Sequence, residues 1–322
     1  MINQSDVVIF ELIGFPGLPP SYHILVSIVM FFVYMMALSV NCAVMALVIW
    51  KKTLHQPMYI LIGNLALSDI LFDTITLPKV IAMYWFGDSS ITLVGCMFQL
   101  FFVHYLGSVD SFIIMLMALD RYVAICRPLR YPSIITNRFT AGICSFSWVF
   151  ASIYAFVNAI WHAQAPYCGS RKINNCFCVN MAVSALACGD IILLKKTSFS
   201  VAMVILLLPF SFILFSYFVI ILTICLSVRH ENLQKTFYTC TTHLFIIAMY
   251  YGPRVFVYIS FLFNVSFSVE TSVLLLTLYT YLPHMANPLI YCLRTKEIKQ
   301  IVGKLLRTRL RFQIECSVVR ER

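Results

Sequence analysis

Three carboxylates, Asp69, Asp73 and Asp110, stand inside stretches of sequence that are otherwise almost wholly apolar. A carboxylate in such a setting is costly unless it is paired or solvated. The chemistries that suit it are a hard cation such as sodium, a shared proton within hydrogen bonds, or a step in a proton relay. Arg254 is the matching oddity among the cations. It lies ~14 Å below Phe263 at 1.5 Å per residue, further than its side chain easily snorkels. Its partner is a ligand anion, a carboxylate such as Glu270, or the Met249 carbonyl that Pro253 frees while bending the helix. Tyr251, Arg254 and Tyr258 share one helical face. His104, Gly107, Ser108 and Ser111 fall at i, i+3, i+4 and i+7, giving a second polar or small face. That face either lines a ligand pocket or lets a neighbouring helix approach closely. His23, His104 and His284 are scattered, with no nucleophile–base or metal spacing, so the chain reads as a non-enzyme.

These residues need elements that hold them in an apolar medium. The chain of 322 residues is 61% hydrophobic and only 11% charged, with a mean hydropathy of +0.88. Soluble proteins average roughly 25% charged. Apolar runs of about 20 residues match a lipid core of ~30 Å. Seven such runs are expected, at 24–50, 58–84, 96–125, 140–161, 197–228, 237–263 and 272–293. The predicted fold is therefore an all-α membrane protein, a seven-transmembrane helix bundle filling residues 24–293. Residues 1–23 precede it as an outer N-terminus, and 294–322 follow as a tail. Asp6 and Glu11 and the lack of a basic leader argue against a cleavable signal peptide, so the first span serves as insertion signal.

Most of the 23 basic residues fall on one side of this bundle. Lys51, Lys52, Arg121, Arg127, Arg130, Arg138, Arg229, Lys235 and those after Leu293 lie in the loops after spans one, three and five and in the tail. The positive-inside rule then makes the tail cytoplasmic and the N-terminus extracellular. The net charge of +10 is topology and not a nucleic-acid footprint. On this orientation Asn3 and Asn264 head outer glycosylation sequons, the latter close to the membrane. Cys96, Cys168, Cys176, Cys178 and Cys188 fall on the oxidising side, where disulfides persist. After Leu293, the apolar positions Ile298, Ile301, Val302 and Leu305 within a basic stretch predict a short amphipathic helix on the anionic inner leaflet lipid.

The motifs narrow the class. Asp120-Arg121-Tyr122 ends span three, Asn287-Pro288 with Tyr291 ends span seven, and Asn41 and Asp69 stand in spans one and two. Together they resemble the rhodopsin-like G-protein-coupled receptors. Leu54-His55-Gln56-Pro57-Met58-Tyr59, the stretch Met117 to Tyr131, Ser216-Tyr217 and Lys235 to His243 resemble signatures of the olfactory receptor family, nearest its fish-like branch. Leu119, Thr236 and Tyr238 depart from the usual residues. An amine receptor would want a carboxylate at Val103, and a retinal protein a lysine at Tyr281. A peptide-hormone receptor is the nearest rival, and a transporter or channel would leave Asp120-Arg121-Tyr122 unexplained.

That resemblance implies an odorant receptor of the plasma membrane. A small odorant would bind between spans three, five, six and seven, at His104, Gly107, Ser108, Ser111, Tyr251, Arg254 and Tyr258. It would activate a stimulatory heterotrimeric G protein and raise cyclic AMP through a switch of Asp120, Arg121, Tyr122, Tyr217, Asn287, Pro288 and Tyr291. The family scheme pairs Cys96 with Cys178 and Cys168 with Cys188, leaving Cys176 as a competitor. It also makes Asp69 and Asp110 face one another, with sodium or shared protons between them, and requires no cofactor. Acid-binding members of this branch carry an arginine where this chain has Leu262, which points away from the acid that Arg254 suggests.

Overall fold

A computed structural model describes residues 8–168, 170–226, 233–263, 265 and 267–294. Asn3, Asn264 and the expected tail helix lie outside the described residues. Seven long helices are present among those described: α1 (His23–Trp50), α2 (Pro57–Phe86), α3 (Leu93–Cys126), α4 (Asn137–Ala163), α5 (Ile192–Leu226), α6 (Leu233–Leu262) and α7 (Val269–Arg294). Of these, α1 to α5 are long and apolar enough to cross a membrane. The ends follow local chemistry. Pro57 opens α2, where its missing N–H costs nothing, and Gly87 closes it in the left-handed conformation. The Thr92 and Thr136 hydroxyls cap α3 and α4 by accepting from Gly95 N at 3.1 Å and Phe139 N at 3.2 Å. α2, α3, α4 and α7 run one to three residues beyond the expected spans at both ends, and α1, α5 and α6 begin one, five and four residues earlier, because polar end turns carry no apolar signal.

The long α3 is the axis of the bundle, packed on α2, α4, α5 and α6. Its buried Val109, Ile113, Ile114 and Met117 meet Leu65 of α2, Ile213 of α5 and Ile246 and Tyr250 of α6. Phe146, Phe150 and Phe156 on α4 and Phe215 and Phe218 on α5 point outward, exposed as lipid contact requires. Two prolines open backbone acceptors inside this apolar medium. Pro288 leaves the His284 carbonyl without its helical partner, and Asn41 Nδ2 donates to it at 3.1 Å, tying α1 to α7. Pro209 does the same to Ile205, whose carbonyl accepts from Ser111 Oγ at 3.2 Å, tying α5 to α3. Trp148 Nε1 donating to Asn64 Oδ1 at 2.9 Å joins α4 to α2.

One end of the bundle carries a feature that the periodicity of the sequence did not announce. β1 (Ile9–Leu12) is the central strand of a three-stranded sheet. It pairs antiparallel with β2 (Ser90–Thr92) and parallel with β3 (Lys172–Ile173) of the long loop. Phe10 and Leu12 turn inward and are buried with Cys96, Ile173 and Cys178. Residues Ile9–Leu12 are thus part of a cap, a structure that the sequence reading of 1–23 did not include. Gly14 follows with φ +69°, and a Cβ there would run into the Tyr84 hydroxyl and the Met83 methyl. The same hydroxyl accepts from Phe15 N at 2.6 Å. Gly14→Ala is therefore expected to cost roughly 1–3 kcal/mol from the left-handed backbone alone. Surface display should fall in a flow-cytometric assay, while Gly87→Ala, whose Cβ meets nothing within 4 Å, should be milder.

Candidate functional site

The long loop between α4 and α5 is folded back over the bundle. Cys96 bonds Cys178 and Cys168 bonds Cys188, with Cα separations of 5.5 and 6.0 Å. Cys178 N also donates to Gln99 Oε1 at 2.9 Å, so α3 holds the loop twice. Cys176 does not compete for pairing: it is a free thiol, 1% exposed, and burial pushes its pKa up to about 12. Such a thiol is inert.

Beneath this lid lies a cavity of about 820 Å³ between α3, α5, α6 and α7, within the range of small-molecule sites. His104, Gly107, Ser108 and Ser111 all line it, as do Arg254 and Tyr258. Tyr251 does not. Its side chain is fully buried behind the wall, stacked on Phe210 at 5.0 Å with its hydroxyl 2.8 Å from Ser111 Oγ. The lining tyrosine is its neighbour Tyr250, which donates to the Gly107 carbonyl at 2.7 Å. The i, i+4, i+8 spacing of Tyr250, Arg254 and Tyr258 was the signal for it.

Arg254 pairs neither with Glu270 nor with the Met249 carbonyl among the described residues. Nη1 donates to the Tyr250 carbonyl at 2.8 Å, not to that of Met249. The guanidinium lies 3.9 Å from the Tyr250 ring centroid and 5.1 Å from that of Tyr279, a cation–π setting. No carboxylate pairs with it among the described residues, and none lines the cavity. At the opposite wall, His104 Nε2 is buried and has no hydrogen-bond partner. Nearby, Asn158 Nδ2 donates to Asn180 Oδ1 at 2.9 Å and Ser198 Oγ to Asn158 Oδ1 at 3.1 Å. This network braces the lid against α4 and α5.

Deeper in the bundle, Asp69 and Asp110 do converge, but around a residue that sequence reasoning passed over. His284 Nε2 is 3.5 Å from Asp69 Oδ1 and 3.9 Å from Asp110 Oδ2, and its Nδ1 is 2.8 Å from Asp73 Oδ1. Both Asp69 oxygens and Asp110 Oδ1 lack a hydrogen bond while fully buried. Asp69, Asp110 and His284 each offer an atom within 4.8 Å of the others, a donor set that fits a cation. His284, one of three scattered histidines in the sequence, carried no spacing signal for this cluster.

At the far end of α3, Arg121 Nη2 pairs with Asp120 Oδ2 at 2.9 Å. Tyr131 donates to Asp120 Oδ1 at 2.8 Å, and burial together with that carboxylate raises its hydroxyl pKa. Tyr122 packs against the central core, Tyr217 is buried within it, and Asn287 and Pro288 are buried in α7. The side chain of Tyr291 lies outside the described residues.

Long apolar helices thus surround a lidded pocket, with an ion-paired arginine at the far end of α3. The sequence profile of the olfactory receptor family matches residues 30–309. Similar proteins include human olfactory receptor 56B2, 35% identical over 306 residues covering 95% of this chain and 96% of the relative. Human olfactory receptor 10A3 is 32% identical, covering 96% and 97%, and mouse olfactory receptor 1E16 is 33% identical, covering 98% and 99%. The chain belongs to the olfactory receptor family. Its members are receptors and not enzymes.

Proposed function

We propose that this protein is an odorant receptor whose ligand sits in the cavity under the disulfide-tied loop, with the N-terminus extracellular and the tail cytoplasmic. The observation that carries the site is the lidded cavity with Arg254 in its wall, held in no ion pair among the described residues. Binding energy spent there favours one of two bundle arrangements, and only differential affinity for the two shifts the population. The second arrangement separates Arg121 from Asp120 and opens that end of α3 to a G-protein α subunit. The stimulatory type, raising cyclic AMP, follows from the family resemblance. Asn3 is the proposed glycosylation site.

The ligand class follows from the wall. A half-buried guanidinium in contact with one carbonyl and two rings favours an anionic or strongly polar odorant. A cyclic AMP reporter assay with acids, amino acids, amines and neutral compounds should find acids most active. Arg254→Gln should weaken acids by about tenfold or more, since hydrogen bonds to charged groups contribute ~1.5–3 kcal/mol. A displayed Arg254→Gln receptor with an unchanged profile would reject this reading.

A sodium ion between Asp69 and Asp110 is proposed on the three unbonded oxygens that would receive it. His284 then serves as a third ligand atom or, doubly protonated, takes the ion's place. Replacing sodium by a large organic cation should raise basal signalling in the first case. In the second it should change nothing, while His284→Ala should restore sodium sensitivity.

A further inference from the structure

The cavity wall carries a second cation, Lys195, in the first turns of α5. Its depth relative to Arg254 can be read from a ring contact. Phe199 of α5 and Tyr258 of α6 meet with centroids 5.7 Å apart, which places them at one level of the bundle. The two helices are sequential and antiparallel. Lys195 stands four residues from Phe199 on the lid side, and Arg254 four residues from Tyr258 on the deep side. At 1.5 Å per residue, each step is ~6 Å, so the two backbone anchors are ~12 Å apart along the cavity. Helical side chains lean toward their own N-terminus, which carries Lys195 toward the lid and Arg254 deeper. The bond from Arg254 to the Tyr250 carbonyl, one turn down, shows the second of these directions. The charges therefore stand no closer than their backbones.

Between them the wall is mostly apolar, with Phe199, Ala202, Val257 and Leu276, joined by the Tyr258 ring and the Ser198 hydroxyl. No aspartate or glutamate lines the cavity among the described residues, and neither cation is in an ion pair there. A ligand with one acidic group would satisfy Arg254 and leave Lys195 facing it across an apolar gap. We infer that the preferred ligand is an elongated molecule with an acidic group at each end, of the α,ω-dicarboxylate class. One carboxylate sits at Arg254 and the other at Lys195, with the apolar chain along Phe199 and Leu276. The inference rests on the proposed role of Arg254 as the site of an anion and adds a length and a second charge to it.

The test compares decanedioate, whose extended carboxylates match that ~12 Å span, with decanoate and with the shorter hexanedioate. Wild-type, Lys195→Gln and Arg254→Gln receptors are assayed in a cyclic AMP reporter line at matched surface levels. Decanedioate should act at a concentration about tenfold lower than decanoate, the change expected of one added charged contact. Hexanedioate, unable to reach both cations, should show no such advantage. Lys195→Gln, at an exposed position, should erase the advantage of decanedioate and leave decanoate unchanged. Equal potency of the two ten-carbon acids on the wild-type receptor overturns the inference, as does a Lys195→Gln receptor that still prefers the diacid. A wild-type receptor silent to both ten-carbon acids also overturns it. If Arg254→Gln weakens both acids while Lys195→Gln alters neither, the diacid inference fails and the anion reading stands. If Arg254→Gln alters neither, both fail.

Discussion

An Asp120→Asn receptor should signal without ligand. Asp120 is 1% exposed and holds two partners at once, Arg121 at 2.9 Å and the Tyr131 hydroxyl at 2.8 Å. The carboxylate thus fastens the arginine of α3 to the short helical turn that follows it (Tyr131–Ile134). Hydrogen bonds to a charged group contribute about 1.5–3 kcal/mol each. Loss of the charge weakens both in the latched state only, so the ratio of open to latched receptor should rise by roughly ten- to hundredfold. Tyr131→Phe removes one of the two bonds and should give a smaller rise. Arg121→Ala is the opposite case, a receptor displayed normally and silent to ligand. Basal cyclic AMP normalised to surface receptor separates the three. A basal level in Asp120→Asn equal to wild type would show that the latch does not hold the resting state.

Cys96→Ser or Cys178→Ser should remove the receptor from the cell surface. The bond closes a loop whose ends are 82 residues apart, and both sulfurs are fully buried. Removing such a bridge costs roughly 2–5 kcal/mol, a large share of the stability of an ordinary domain. The geometry adds a second cost. Cys178 anchors Phe177, which packs edge-on against Phe72 and Tyr281, and sits beside Ile173, which pairs with Leu12. Releasing the sulfur frees the lid, the sheet and one wall of the cavity together. An N-terminal epitope should report surface receptor reduced by an order of magnitude at unchanged total protein. Cys168→Ser opens only a separation of 20 residues within the loop and should be milder. Equal display of the Cys96→Ser and wild-type proteins would contradict this account.

The helices were legible because lipid imposes one rule on every residue of a span. Apolar composition over about 20 residues is then enough, and the seven expected runs each find a helix. Buried polar chemistry was legible one residue at a time and not as partnerships. Asp69, Asp110 and Arg254 stood out because a charge in lipid is anomalous wherever it lies. His284 did not, since a histidine is not anomalous until three carboxylates are seen around it. Tyr251 and Tyr250 were exchanged for a related reason. A shared helical face can be read from spacing, but which of two adjacent tyrosines turns toward the cavity depends on the helix across from it. The small sheet was hidden most completely, because strands of four, three and two residues carry no period and their partners lie far apart in sequence.

That sheet sets a clock on biosynthesis. β1 is made first, yet its parallel partner at Lys172–Ile173 emerges roughly 160 residues later. At about 5–20 residues per second, Phe10 and Leu12 wait on the order of 10–30 s with their apolar faces uncovered. Four helices are inserted during that interval, with nothing to complete the cap. A nascent chain in this condition is a natural client for chaperones, and the loop that arrives last decides whether Phe10 and Leu12 are ever put away.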